Sequence, residues 1–326
     1  MNGNGAKGDR AEASAEASVP TRGERRWLRA LGLLFVALSF GIFHTFVLVA
    51  VPLALLMIAT PGRRWLTLSL VVLIAATVFS GGPSGTGFWY LERGWALLVA
   101  GWFVALTLLW PSKTFTSRAL GAVAGALAGG GLLYVLWPQA WMVTDWMIGS
   151  RISAGASTAL EAMQLLRGEN VLSPTLVATV HQTAEFQGTV FPALLALSTF
   201  AALGVAWWFY DRLVHGSDRG LGALRDFRFN DQLVWVLIGG IVLLLWGGTD
   251  GIQRGGTNAV VFMAMLYALR GTAVAFSLSG GFSFLGYLLL GTALLFAAPV
   301  VFAGALVIGL GDTWLDVRAR KQATAV

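Results

Sequence analysis

The sequence predicts an all-α, polytopic integral membrane protein with about 8 to 10 transmembrane segments, including short broken hairpins at both ends. Two observations support this prediction. Hydrophobic residues make up 56% of the 326 residues and charged residues only 12%, whereas about 25% of the residues of a soluble domain are charged. The apolar residues also form runs that approach or exceed the roughly 20 residues with which a helix crosses a bilayer. Lipid is therefore the predicted solvent for most of the chain.

The N-terminal part contains the first ambiguity. Residues 1–21 are poor in large apolar side chains and are predicted to be a disordered cytoplasmic tail, ahead of a single multi-pass membrane domain at 22–326. The first apolar run, 28–60, is long for one span, so either one strongly tilted helix fills it or two short helices turn back near 41–45. A secretory signal peptide is the rival interpretation, but its apolar core would be only about 7 to 15 residues long.

The remaining apolar runs follow in order and leave one long semi-polar segment between them. That segment, 138–188, contains a stretch at 141–166 in which apolar and small polar residues alternate at helical spacing. This spacing predicts an amphipathic helix that lies on the outer membrane surface. The other apolar runs lie at 66–80, 95–110, 120–137, 190–210, 233–246, 259–278 and 282–310.

The basic residues predict how these segments are threaded, because lysine and arginine are enriched in cytoplasmic loops. Most of the 22 lysines and arginines fall on one face only if both 28–60 and 282–310 cross the membrane twice, with Pro299 as the break in the second run. Both termini and a basic loop at 211–230 are then predicted to be cytoplasmic. A single helix at either end would place that terminus outside. The clusters are Lys7 and Arg10; Arg22, Arg25, Arg26 and Arg29; Arg63 and Arg64; Lys113 and Arg118; Arg212, Arg219, Arg225 and Arg228; and Arg318, Arg320 and Lys321.

Composition also narrows the possible chemistry. The sequence has no cysteine for disulfides or thiolate sites, and its three histidines are far apart, so no metal site and no cofactor is predicted. The net charge of +6 and the pI of about 10.2 come from clusters beside apolar runs, which indicates topology and not a nucleic-acid partner. No cluster of catalytic residues stands out, so the sequence favours a protein that is not an enzyme without deciding the point.

Arg270 is the strongest candidate for a ligand-binding residue. It is the only charged side chain well inside a predicted span, and a guanidinium in hydrocarbon normally faces a cavity, a partner or an anionic ligand. Snorkelling of its long side chain toward the cytoplasmic surface is the alternative. Asp250 and Arg254 are further ligand-binding candidates, in a glycine-dense stretch at 247–256 that is predicted to be a flexible turn on the outer face.

Two groups of residues are candidates for helix or protein contacts. Gly121, Gly125 and Gly129 repeat every four residues in an apolar helix, and such a stripe either packs helices inside the chain or docks another subunit. The second group lies in the basic loop and at the end of the last apolar run, where a cytoplasmic partner could bind or charge could pin a helix end. Its members are Arg225, Arg228, Asp312, Asp316 and Arg318.

Two stretches in the second half resemble a known family. They are LRDFRFNDQLVW at 224–235 and a C-terminal part with Asn258, Leu266, Tyr267 and Gly271 that ends in GLGDTWLDVRAR at 309–320. The pattern resembles the YybS-like predicted membrane proteins of bacteria, a family of unknown function, and this resemblance implies the bacterial cytoplasmic (inner) membrane. The chain departs from the family pattern at Asn230 and Asp231, where a proline often follows the aromatic and basic residues.

The hydropathy layout is also similar to the substrate-binding membrane subunits of energy-coupling-factor vitamin transporters. That likeness implies a pocket among short helices and docking on other membrane subunits or a cytoplasmic ATPase. The leading predicted function is therefore a small-molecule binding or transport subunit, with a pocket near Arg270 and the outer glycine-rich loops, since interrupted helices expose backbone groups to solutes. The first alternative is a structural or assembly subunit that uses 138–188 and the basic loop. The second is a membrane enzyme for lipid-linked substrates, with Glu92, Asp145 and Glu185 as its outer-face carboxylates.

Overall fold

The structure is a computed structural model that describes residues 24–39, 42–60, 64–79, 87–167, 172–216, 221, 226–279 and 284–315. These residues form ten α-helices and one short 3-10 turn, with no strand among them. In chain order the helices are α1 (Glu24–Ser39), α2 (Thr45–Ala59), α3 (Arg64–Phe79), α4 (Phe88–Leu109), α5 (Phe115–Leu136), α6 (Pro138–Arg167), α7 (Pro174–His215), α8 (Val234–Leu245), α9 (Asp250–Leu278) and α10 (Phe284–Leu315), with the 3-10 turn at Asp231–Leu233.

Five helices in the described ranges are long and apolar enough to cross a membrane. They are α4, α5, α7, α9 and the second part of α10, Phe296–Leu315. Shorter apolar helices lie at Thr45–Ala59, Thr67–Phe79 and Asp231–Leu245. The prediction of an all-α polytopic membrane protein is confirmed.

The first apolar run is divided into two helices. Helix α1 ends at Ser39 and α2 begins at Thr45. Between them, the ring of Phe43 packs edge-on against Phe88 of α4, with centroids 5.4 Å apart. The two-helix alternative for 28–60 is therefore the one that the structure adopts. The tail at 1–21 lies outside the described residues.

The last apolar run consists of two helical parts that join at a kink within α10. Ala297 of α10 has a non-helical backbone (φ −136°, ψ 34°), two residues before Pro299. A proline inside a helix lacks the N–H of the helical ladder and crowds the preceding turn, which accounts for a break at this point. The break was predicted at Pro299, and the sidedness of the two ends stays a prediction.

The semi-polar segment is helical throughout its described part. The predicted amphipathic stretch 141–166 lies within α6, and the remainder leads into α7. Helix α7 has 42 residues, about 63 Å at 1.5 Å per residue, whereas a hydrocarbon core is about 30 Å thick. Helix α7 is therefore about twice as long as a hydrocarbon core is thick, and α6 packs beside its middle through Trp141, which stacks on Phe191 with centroids 5.8 Å apart.

Two hydrophobic cores hold the helices together. Helices α1–α7 enclose the main core, whose fully buried side chains include Leu56, Phe103 and Leu203. Phe229, Met263 and Tyr267 form a second, smaller core with residues of α8–α10. Three partly buried side chains pack against both cores and join them, and these are Leu120, Phe227 and Phe262.

The glycine-dense stretch 247–256 is mostly helix, so the prediction of a flexible turn there was wrong. Helix α9 begins at Asp250, and the N–H groups of Ile252 and Gln253 donate to the carbonyl of Thr249. A Cβ atom at Gly256 would lie 2.7 Å from the carbonyl oxygen of Gly240 on α8. Glycine is needed at this position because α8 and α9 approach each other closely, and small residues allow such contacts between membrane helices.

Candidate functional site

Helix α9 carries a polar cluster near each end. Arg254 lies in its second turn and Arg270 lies 16 residues later, about 24 Å along the axis. We call the end of the bundle that carries Lys113, Arg118 and Arg270 the basic face, and the end that carries Arg254 the opposite face. Leu120, two residues after Arg118, packs against the core of Phe229 and Tyr267, which places the arginines of the basic face at the same end.

Arg270 is fully buried and held by two aspartates. Its Nε donates to Asp312 Oδ2 at 2.9 Å, its Nη1 donates to Asp231 Oδ1, and its Nη2 donates to the Asp312 carbonyl at 3.3 Å. The side chains of Arg270 and Asp312 are both 0% exposed, whereas that of Asp231 is 54% exposed. The Arg270 guanidinium also lies over the ring of Phe229, 5.5 Å from its centroid. We call Arg270, Asp231 and Asp312 the Arg270 latch.

A close helix crossing brings Arg270 and Asp312 together. A Cβ atom at Gly271 would overlap the carbonyl of Ala305, and one at Gly309 would overlap the carbonyl of Tyr267. The two glycines therefore let the backbones of α9 and α10 touch. Burial of an unpaired guanidinium in a membrane is costly, so the Asp312 carboxylate that this crossing supplies helps to make a buried Arg270 tolerable.

Arg254 binds across to α6 and α7. Its Nη2 donates to Asp145 Oδ1 at 2.6 Å and to the Gly188 carbonyl at 2.7 Å, and its Nε donates to the Thr189 carbonyl at 3.2 Å. Pro192 in α7 has no N–H, so the carbonyl four residues earlier, that of Gly188, has no helical donor. Arg254 supplies that donor.

Asn258, one turn after Arg254, completes the repair of α7. Its Nδ2 donates to the Thr189 carbonyl at 2.9 Å, and its Oδ1 accepts from the N–H of Ala193 at 2.9 Å. Helix α9 thus fills the opening that Pro192 makes in α7. We call Arg254, Asn258 and Asp145, with the α7 backbone that they bind, the Arg254 latch.

A third polar cluster lies between α2 and α4. Glu92 is 1% exposed and accepts from the backbone N–H of His44, contacts His44 Nδ1 at 2.8 Å, and accepts from Arg93 Nη1 at 2.9 Å. Arg93 Nε also donates to the Val78 carbonyl at 2.8 Å. Glu92 therefore ties the turn after α1 to α3 and α4, and its partners could not be chosen from spacing alone.

The structure separates the other predicted residues. Asp250 is exposed in the first turn of α9 and makes no ion pair with Arg254 among the described residues. Asp312 joins Arg270, which the sequence did not foresee. Arg228 is exposed on the segment before α8. Arg225, Asp316 and Arg318 lie outside the described residues.

The glycine stripe of α5 faces α4. Cβ atoms at Gly121, Gly125 and Gly129 would lie 3.0 Å from Leu106, 2.7 Å from Trp102 and 3.9 Å from Leu98, respectively. These three α4 side chains are spaced four residues apart, as the glycines are. The stripe therefore packs two helices of this chain together.

Comparison with known proteins places the chain in a family. No curated protein and no solved structure matches it. A family model described as a predicted membrane protein (DUF2232) matches residues 29–313 of the 326-residue chain. The match includes both latches and nearly all of the described helices. The chain belongs to the DUF2232 family of predicted membrane proteins.

Proposed function

We propose that the protein is a membrane-embedded small-molecule binding or transport subunit in which α9 is held by a separable latch at each face. The observation that carries this proposal is the position of two ion-pair clusters at opposite ends of one apolar helix. Transport by alternating access requires each face to open while the other stays closed. Polar contacts at both ends of one helix suit that requirement, because one set can break while the other holds.

Exposure of one partner in each latch supports exchange with solutes. The side chains of Asp231 and Asp145 are 54% and 38% exposed, so water and solutes can reach them. The side chains of Arg270 and Asp312 have no solvent-accessible surface. The kink at Ala297 supports the same function, because interrupted membrane helices expose backbone groups that bind solutes and ions. The Gly271–Gly309 contact then serves as a pivot between α9 and α10.

The test uses the natural absence of cysteine. A single cysteine at Phe262, midway between the two arginines, is labelled with a membrane-impermeant maleimide from each side of oriented vesicles. A partly exposed latch contributes about 1 kcal/mol, which corresponds to about a fivefold shift between two open states. We expect Arg254→Gln to increase labelling from the opposite face, and Asp231→Asn to increase it from the basic face.

Two exposed positions provide matched controls. Ser153→Cys on α6 and Lys113→Cys before α5 should each be labelled from one side only, and equally in all latch variants. These controls also test whether the basic face is cytoplasmic in the bacterial inner membrane, as the charge distribution predicts. Labelling at position 262 that responds to neither latch variant would contradict a moving α9.

A structural or assembly subunit is the second candidate function. It is favoured by the end of α6, where Leu165 and Leu166 are 84% and 89% exposed. Native mass spectrometry after gentle extraction from the host separates the two candidates. A retained small molecule or co-purified ATPase subunits favour transport. Co-purified membrane proteins that are lost in a Leu165→Ser, Leu166→Ser variant favour assembly.

A further inference from the structure

Arg118 is a second buried arginine on the basic face. It lies in the first turn of α5 and is 8% exposed. Its guanidinium carbon lies over the ring of Trp207 on α7, 4.5 Å from the centroid. Tyr210, one turn after Trp207, is also buried and donates its hydroxyl to Thr60 Oγ1 at 2.8 Å. The Trp207 ring therefore lies beneath Arg118, and the Tyr210 ring packs against Trp207 with centroids 5.3 Å apart.

The charge of Arg118 is not compensated within the described chain. No carboxylate in the described ranges forms an ion pair with it, and its buried Nε has no hydrogen-bond partner there. A cation over an indole face regains only part of the hydration that burial removes. A buried charge in this situation calls for an anionic partner from outside the described chain.

The start of α5 supplies further donors beside Arg118. Thr114 caps the helix by accepting from the N–H of Ser117 at 3.3 Å, and its carbonyl accepts from the N–H of Arg118 at 3.2 Å. The N–H groups of Phe115 and Thr116 have no acceptor among the described residues, as is usual in a first helical turn. Helical side chains lean toward the N-terminus, so we expect the Arg118 guanidinium on the same side of the helix end as these N–H groups.

We propose that Arg118 and the first turn of α5 bind a phosphate group, from the headgroup of an anionic phospholipid or from free phosphate. A phosphate has several oxygens, which can accept from the fork of a guanidinium and from helix N-terminal N–H groups together. The exposed Lys113 precedes the cap and adds positive charge. An anion at this position satisfies the donors and the charge at once.

A lipid source agrees with the position of the site. Helix α5 is one of the five long apolar helices and begins at Phe115, so its first turn lies at the level of a membrane interface. Tryptophan and lysine are both suited to that level, because each combines an apolar body with a polar end. A lipid phosphate is therefore expected at about the depth of Arg118.

The experiment measures thermal unfolding of the delipidated full-length chain in detergent. It is titrated separately with dioleoylphosphatidylglycerol, with zwitterionic dioleoylphosphatidylcholine and with inorganic phosphate. We expect phosphatidylglycerol to raise the Tm saturably and phosphatidylcholine to have less effect. In Arg118→Gln the apparent Kd for phosphatidylglycerol should rise about tenfold or more, since a charge-assisted bidentate contact is lost.

Arg151 provides the matched control. Its guanidinium carbon lies 4.5 Å from the centroid of the Phe88 ring, the same distance as between Arg118 and Trp207, but Arg151 is exposed. Phe88 begins α4, whereas Arg118 lies on the helix that follows the other end of α4, at Leu109. Arg151→Gln should therefore retain the full response to phosphatidylglycerol. If Arg118→Gln does not fold, Arg118→Lys tests the same site, because it keeps the charge and loses the fork, and its Kd should rise about threefold.

The two sources give different results. A response to phosphatidylglycerol alone assigns the site to a lipid headgroup, and an equal response to inorganic phosphate that Arg118→Gln abolishes assigns it to free phosphate. Two results would overturn the proposal. One is a wild-type Tm that neither anion raises above the effect of phosphatidylcholine. The other is an equal loss of the response in the Arg118 and Arg151 variants.

Discussion

Arg270 and Arg118 are both buried on the basic face, yet their surroundings differ. Arg270 is 0% exposed and is held by Asp231 and Asp312. Arg118 is 8% exposed and lies over an indole ring at the start of a helix, and no carboxylate of the described residues forms an ion pair with it. The first arginine is satisfied within the chain, and the second leaves positive charge to be matched from outside.

The difference shows why a buried charge alone does not identify a binding site. Arg270 was the predicted ligand-binding residue because it stood deep in an apolar run. Its donors are used to join α9, α10 and the 3-10 turn before α8. In the sequence, Arg118 belongs to a basic cluster that was interpreted as a sign of membrane topology. Only the structure, in which no described carboxylate pairs with it, distinguishes Arg118 from Arg270.

Asp312→Asn should produce the largest loss of stability. It removes the buried carboxylate that faces Arg270, and a broken buried pair costs about 3–5 kcal/mol. The free energy of unfolding in detergent, or the yield of monodisperse protein, measures the loss. The double variant Arg270→Met, Asp312→Leu removes both charges and should recover most of it. An Asp312→Asn variant with wild-type stability would remove the distinction between the two arginines.

Gly309→Ala should destabilise the Arg270 latch through the backbone. Its Cβ would overlap the Tyr267 carbonyl, and overpacking of this kind costs about 1–3 kcal/mol. Gly304→Ala in the same helix is the matched control, because its Cβ would meet nothing within 4 Å. Thermal unfolding of the two variants under the same conditions makes the comparison. Equal Tm values would show that the crossing is looser than described.

Asp145→Asn should have a smaller effect, because the Arg254–Asp145 pair is partly exposed. A loss of about 0.5–1 kcal/mol is expected, and it should diminish as salt concentration rises. Glu161→Gln, at an exposed position of α6, should leave the unfolding midpoint unchanged. A loss that does not depend on salt would indicate that Asp145 is more buried than its 38% exposure implies.

Arg118→Gln should have the smallest effect on the delipidated protein, and it is the direct counterpart of Asp312→Asn. Removal of an uncompensated charge offsets the loss of its contact with Trp207, so stability should stay within about 1 kcal/mol of the wild type. Unfolding is measured in phosphate-free buffer. A loss as large as that of Asp312→Asn would mean that Arg118 has a strong internal partner.

The sequence by itself determined the class of the protein. Run length and hydropathy act over local windows, so they predicted membrane helices. The distribution of basic residues favoured the break that lies between Ser39 and Thr45. The glycine-rich start of α9 was mistaken for a turn, since glycines permit both bends and close helix contacts.

Only the tertiary structure decided which charges meet. Asp231 and Asp312 are 39 and 42 residues from Arg270, and Asp145 is 109 residues from Arg254. No spacing rule connects such positions, because the pairs depend on where α9 crosses α10 and where Pro192 opens α7. The preference of a segment for lipid is the sum of the hydropathies of its own residues, so it can be predicted from the sequence. Compensation of a buried charge depends on residues that are distant in the sequence and that tertiary packing brings close.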